Sequence, residues 1–388
     1  MSNRSDVAVV GGGIVGLATA RKLLDADPAL RVTVLEAEPR VGLHQSSHNS
    51  GVLHAGVYYQ PGSAKAELCR RGKAEMERFC EEHGIPVVRN GKLIVALDEG
   101  ELARFDALVE RATANGVPDL RVLGPGELRE IEPHAAGIRA LHSPSTGVVD
   151  FGAVCRALAD ELPDVRVGHR VTAMVESGDG VRLETAGGPV EARMAVVCGG
   201  VRAETLAASA GLDTGLRVVP FRGSWLELTP EGGDLVRGNI YPVPDPTLPF
   251  LGVHFTRRFD GRVWAGPNAV LSLAHPRLLA RALGHPGLYR LAWTHRATAV
   301  RELYEDRVRR AYLRQMRRYV PEVGAEHLRP ARPFGIRAQA LGRDGRLVDD
   351  FVIEGGRRVV HVLNAPSPAA TSSLAIGERV AGEVRARW

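Results

Sequence analysis

Lysine, cysteine and aromatic residues are all scarce in this sequence. Lys22, Lys65, Lys73 and Lys92 are the only lysines among fifty basic residues, so 46 of the 388 residues are arginine. Arginine, alanine and glycine are abundant together, which reads as genome composition bias. The arginines are spread along the chain and not clustered with aromatics, so a net charge of +5 gives no nucleic-acid footprint. The four cysteines (Cys69, Cys80, Cys155, Cys198) form no CxxC pair and no metal-ligand spacing, so a metal-free protein in a reducing cytoplasm is expected. Long apolar runs are also missing: nothing reaches the length of a membrane span, and the first run, DVAVV, is too short for a signal sequence. What remains, 44% hydrophobic and 24% charged, is ordinary for a soluble enzyme of about two domains.

The N-terminus is the most informative stretch. DVAVVGGGIVGLATARKLL passes from a short apolar strand through Gly11, Gly13 and Gly16 into a helical pattern, and the second strand, RVTVLE, ends in Glu36. A tight turn at Gly11, close backbone approach at Gly13, close helix packing at Gly16 and an acid for ribose hydroxyls make a dinucleotide site. The acid disfavours a 2′-phosphate, leaving NAD or FAD. Two features favour FAD. The first βαβ unit is not followed by the rest of a compact nicotinamide domain. The chain also closes with a second strand–turn–helix, VVHVLNAPSPAATSSLAIGERVAGEV, in which Pro366 and Pro368 keep the turn non-helical. The amides of the helix N-terminus, flanked by Thr371 and Ser372, suit the negative charge of a reduced flavin.

Five further stretches, HNSGVLHAGVYYQPGSAKAELCRRG, IYPVPDPTLPFLGVHFTR, AGPNAV, GIRAQALGRDGRLVDDF and LNAPSPAATSSLAIG, run in that order over nearly the whole chain. With them the sequence resembles the FAD-dependent oxidases of the D-amino-acid oxidase fold, and within these the L-2-hydroxyglutarate oxidase or dehydrogenase group. The resemblance implies an α/β (α+β) architecture, a Rossmann-like FAD domain (1–90, 145–216, 335–388) interrupted by a mixed-sheet substrate domain (91–144, 217–334). It also implies contacts to the cofactor from Gly199 in AVVCGG and Val171 in RVTAMV. FAD is expected to be held without a covalent bond, although His44 and His48 make a tether conceivable.

The organisation read from the residues agrees. Residues 63–84 have helical spacing, with Ser63 as cap and Gly84 as stop. FRGSWLEL, NIYPVP, FLGVHFTR and RVWAGP read as strands of a sheet over one face of the cofactor. HQSSHNSGVLHAGVYY has neither a helical nor a strand period, so it is expected to run along the pyrophosphate toward the flavin ring. Ser46, Ser47, Asn49 and Ser50 would be donors there, and Gly51 a point of close passage. His54, Tyr58 and Tyr59 are left for the substrate side.

Oxidising a 2-hydroxy acid needs a hydride acceptor, a base for the hydroxyl proton and charge for the carboxylate. His254 is expected as base, with His54 positioning substrate or flavin. Arg337, followed by Gln339, is the first-choice carboxylate anchor. Arg257 is second and Arg222 third, and Tyr241 adds a hydroxyl. The expected reaction is oxidation of L-2-hydroxyglutarate to 2-oxoglutarate, with a different hydroxy acid or an amine as the alternative. Ser224–Trp225 and the segment after Val270 depart from the group near the substrate. The acceptor would be oxygen or a membrane quinone, the latter through a basic helical segment, 276–320, resting on the inner face of the membrane.

Overall fold

The computed structural model describes residues 4–246, 251–268, 270–272, 276–331 and 335–388. The first strand, Ser5–Val10, is buried almost throughout, as its unbroken apolar run demands. It pairs in parallel with Val32–Leu35 on one side and Val190–Val197 on the other. Outward from these lie Val165–Arg166 at one end of the sheet and Val359–Asn364 and Val352–Gly355 at the other. The antiparallel hairpin of Val171–Glu176 and Val181–Thr185 branches from Val190–Val197.

Three helices cover this sheet. Ile14–Ala26 packs against the terminal helix Ser373–Arg385, which in turn meets Ala64–Glu82. The last begins where expected, with the Ser63 hydroxyl accepting from the Ala66 amide (3.2 Å), and ends before Gly84 at φ +62°. The terminal helix starts at Ser373, a residue beyond the expected position.

A second eight-stranded sheet carries the other half of the chemistry. Its order is Leu328–Pro330, Leu226–Leu228, Val263–Gly266, His254–Arg257, Asn239–Pro242, Lys92–Ala96, Arg139–Ser143 and Arg121–Leu123. Only the pair Asn239–Pro242 and Lys92–Ala96 is parallel. Phe255, Ile240 and Val95 share a core with Tyr312, Leu313 and Met316 of the helix Arg309–Arg317. Between the two sheets lies a three-stranded one, Val270–Leu271, Arg217–Gly223 and Gly335–Leu341.

FRGSWLEL is therefore not one strand. The chain leaves the small sheet at Gly223 and enters the large one at Leu226, with Ser224 and Trp225 at the crossing. The Ser224 amide donates to Asn268 Oδ1 (2.9 Å) and its hydroxyl to Asp306 (3.2 Å), and these bonds replace the ladder the chain gives up.

The packing of the two N-terminal-sheet helices is tight enough to test. A Cβ on Gly377 would stand 2.7 Å from the Ala18 carbonyl. Gly377→Ala is expected to destabilise the fold by about 1–3 kcal/mol, the usual cost of overpacking, read as a lower thermal unfolding temperature.

Candidate active site

One cavity of about 1870 Å³ runs between the two large sheets, lined at one end by the glycine turn and at the other by His54, Tyr241, His254 and Arg337. At the turn, Gly11 has φ +110°, and a Cβ on Gly16 would stand 2.0 Å from the Gly11 carbonyl oxygen, so only glycine closes this corner. The Glu36 carboxylate fixes the turn, with one oxygen accepting from the Gly12 amide (2.7 Å) and the other from Glu38 (2.8 Å). Each oxygen keeps a lone pair beyond that bond, and Glu36 lines the cavity. Gly13, Val171, Gly199 and Pro366 also line this end.

The aperiodic stretch after it folds on itself. Asn49 donates to the carbonyls of Gln45 (2.9 Å) and Ser46 (2.7 Å) and accepts from the Gly51 amide (2.8 Å). The Ser46 hydroxyl accepts from Ile14 N at the helix start (3.0 Å). Thr371 ties the loop to the C-terminal turn, accepting from the His54 amide (3.1 Å) and donating to the Val52 carbonyl (3.2 Å). Ser46, Asn49, Ser50 and Thr371 line the cavity.

Four expected site residues do not. Ser47 turns its hydroxyl to the Gly42 carbonyl (2.6 Å). Gly51 is needed for packing, since a Cβ there would meet the Val149 carbonyl at 2.8 Å. Ser372 is fully buried under Gly72 of the Ala64–Glu82 helix. Arg257 directs its guanidinium to the carbonyls of Gly233 (3.2 Å) and Val236 (2.8 Å), on the far side of its strand from the cavity residues. Strand alternation explains this, because His254 and Arg257 are three apart and face opposite ways. Arg222, the third arginine, pairs with Asp306 at 2.6 Å.

The substrate end brings together residues from four strands and a loop. His254 is stacked on Tyr241 (ring centroids 4.0 Å) and meets Trp225 edge-on (5.5 Å), so its ring is held on two sides. Its Nδ1 donates to the Gly252 carbonyl (2.8 Å), which fixes the tautomer and leaves Nε2 as acceptor. Burial, followed by the Gly252 bond in opposition and the charges of Arg337 and Lys92, brings His254 down to about 3. His54 is also pushed well below its ordinary value by burial and then by Lys92, His254 and Lys65. Both imidazoles are neutral at working pH. Arg337 and Gln339 line the cavity two residues apart on one strand face, and the Gln339 amide is braced by the Val348 carbonyl (2.8 Å). Among the described residues His54 Nδ1 and the Tyr58 hydroxyl, both buried there, have no hydrogen-bond partner, which a polar ligand would supply.

Trp225, expected near the substrate, belongs to this surround, as do Lys65, Lys92 and Arg258, which were not singled out. Lys65 pairs with Asp349 (2.8 Å). Arg258 donates to the Asn49 carbonyl (2.7 Å) from beneath Trp264 and so joins the two halves. The scarcity of lysine, with one in the otherwise apolar strand KLIVA, was the available signal for Lys92.

The sequence profile described as FAD dependent oxidoreductase matches residues 6–382. The chain belongs to this family. Its α/β architecture and its FAD dependence, both expected from the sequence, are those of the family. This flavoprotein is 45% identical to L-2-hydroxyglutarate dehydrogenase, mitochondrial, of Nematostella vectensis, over 100% of this chain and 92% of that one. It is 39% identical to L-2-hydroxyglutarate dehydrogenase of Escherichia coli strain K12, over 98% and 93%. In fold it is similar to the FAD-bound L-alpha-glycerophosphate oxidase of Mycoplasma pneumoniae (TM-score 0.79, 21% identity, 98% and 95% covered) and to the glycine oxidase of Geobacillus kaustophilus (0.74, 22%, 99% and 95%).

The residues present fit FAD: the Gly11–Gly16 corner admits no side chain at the helix start, where a pyrophosphate would be held, and Glu36 on the cavity wall would hold a ribose. Glu36→Ala removes the acceptor for two backbone amides as well as the ribose contact. Its expected outcome is FAD retention weakened roughly ten-fold or more, the value of one or two charge-assisted hydrogen bonds, measured by release of flavin fluorescence on dilution.

Proposed function

We propose that this flavoenzyme oxidises L-2-hydroxyglutarate to 2-oxoglutarate, with the N-terminal sheet holding FAD and the second sheet holding substrate. The observation that carries the reading is the convergence of two neutral histidines, Arg337 and two tyrosines on one end of the FAD cavity, in a chain aligned end to end with L-2-hydroxyglutarate dehydrogenases. FAD, when bound, supplies the hydride acceptor.

The chain's own residues do the rest. Arg337 anchors a carboxylate through its planar donors, with Gln339 beside it on the same face and the Tyr241 hydroxyl, which reaches Thr256 at 3.3 Å, completing that wall. His254 Nε2 takes the hydroxyl proton. Its depressed basicity reflects burial among cations, and an anionic substrate reverses that field, raising the imidazole toward the range where a base works. His54 and Tyr58 offer their unpartnered polar atoms to the rest of the substrate. FAD is held without a covalent bond: His44 turns to Glu38 at 3.3 Å, and burial pushes the Cys198 thiol up to about 12, far from a reactive thiolate. His254→Gln is expected to lower kcat/KM for L-2-hydroxyglutarate by about 10²- to 10⁴-fold while leaving FAD bound. An unchanged rate of anaerobic flavin bleaching would refute the assignment.

Segment 276–320 forms four helices, of which Pro276–Leu283 and Pro286–Thr294 roof the cavity. Among the described residues no helix is long and apolar enough to cross a membrane, but the segment exposes large apolar side chains, Tyr289 (61%), Trp293 (73%), Val300 (68%) and Tyr304 (54%). Exposed Arg296 lies over the Trp293 ring at 4.9 Å, with Arg301 and Arg307 nearby in sequence. Aromatics rimmed by arginine suit an anionic lipid surface, which supports peripheral docking and a quinone acceptor. The double change Trp293→Ser, Val300→Ser is expected to abolish co-flotation with anionic vesicles without altering flavin bleaching by substrate.

A further inference from the structure

Lys92 is only 2% exposed, in the middle of the second sheet. Its ammonium lies 4.2 Å from the ring centroid of Tyr241 and 5.2 Å from that of Tyr58. On its other face Tyr241 carries the His254 ring at 4.0 Å. Lys92 does not itself line the cavity; the two phenol rings stand between it and the space where substrate sits.

A buried ammonium is ordinarily matched by a carboxylate, because desolvating an isolated charge is costly. Among the described residues none is paired with Lys92, whereas Lys65, on the neighbouring helix, has Asp349. The other groups facing it are His54, His254, Tyr58, Tyr241 and the Cys69 thiol, with Arg337 beyond Tyr241. None of these is an acid ionised at neutral pH: burial drives Cys69 and Tyr241 up to about 12 and raises Tyr58 well above its ordinary value. The rings offset part of the cost by cation–π attraction, but the wall remains a positive charge without an opposite one.

We propose that Lys92 is the electrostatic counterweight of the bound dicarboxylate, a positioning residue that holds the substrate's negative charge through the Tyr58 and Tyr241 rings. The proposal rests on the dicarboxylate reading above. It adds a second cation to Arg337 and explains why the chain keeps a lysine in a strand where every other residue is apolar. Burial brings the ammonium down to about 7, so the counterweight is charged below neutral pH and is lost as pH rises through that value. In the free protein burial keeps both histidines neutral in this window, and any step that a bound anion induces on His254 would persist in Lys92→Met.

The test is a titration of the FAD-bound protein with glutarate, a dicarboxylate that cannot be oxidised at C2, followed by the flavin difference spectrum from pH 6 to 8.5, with butyrate as the singly charged control. Butyrate is ionised throughout, and the residual glutarate monoanion near pH 6 weakens binding at low pH, opposite in sign to the expected step. The wild-type affinity for glutarate is expected to fall roughly ten-fold across the range, as for one charge pair at moderate effective dielectric, and that for butyrate by less. Lys92→Met and Lys92→Gln should bind glutarate weakly at every pH and show no step, and Lys92→Arg should bind without a step. A flat wild-type profile overturns the proposal without any variant, and a step that survives in Lys92→Met overturns it too. If glutarate fails to perturb the wild-type flavin at any pH, the dicarboxylate reading itself falls and takes the proposal with it.

Discussion

The corner at the C-terminal end of the first strand is the constraint on which the rest depends. Three chain segments distant in sequence arrive there in contact: Gly11 donates to Leu35, Cys198 donates to Val10, Gly12 donates to Glu36, and Gly16 abuts the Gly11 carbonyl. The meeting is possible because parallel strands end in register, so the helix start, the acid and the later turn at Gly199 open on the same side. The loop after Glu36 can then go only outward along the cavity, and Thr371 closes the far side. Without this corner the cavity has no floor, and the second sheet has nothing to face.

Above that floor the electrostatics runs in the opposite sense from a folded core. Cores exclude charge; here Arg337 on the cavity wall and Lys92 behind it stand beside histidines kept neutral. The desolvation cost is borne by the many buried apolar residues of both sheets. What it secures is a field preorganised for an anion, stronger than the same charges would give in water because water is largely excluded. On the proposed assignment of His254 as base, the same field links base strength to substrate charge through one set of cations.

Legibility in the sequence followed the range of the interaction. The glycine turn, Glu36, the Ser63 cap and the terminal strand–turn–helix are local, and each sits within a residue or so of its expected place. His54, His254, Tyr241 and Arg337 were found through motif resemblance and do converge. Arg257 was misjudged because a motif gives membership in a strand without the face, and the face depends on counting from His254 by twos. Ser47 and Ser372 were misjudged because a hydroxyl near a cofactor loop is as easily spent on a backbone carbonyl or on packing. Lys92 and Arg258 escaped because their partners lie 149 and 209 positions away, in Tyr241 and Asn49.

The crossing at Ser224–Trp225 links these threads. A strand that changes sheets must satisfy its amides elsewhere, and here Asn268 Oδ1 accepts from the Ser224 amide while Asp306, on the Arg296–Arg307 helix, accepts from the Ser224 hydroxyl and the Asn268 side chain. Asp306 also takes Arg222, so one carboxylate holds the crossing, the strand before it and that helix together. Trp225, placed by that crossing, is the edge against which His254 rests. The crossing at Ser224 and Trp225 therefore bears on the position of the proposed base as well as on the shape of the cavity wall, since Trp225 both touches His254 and lines the cavity.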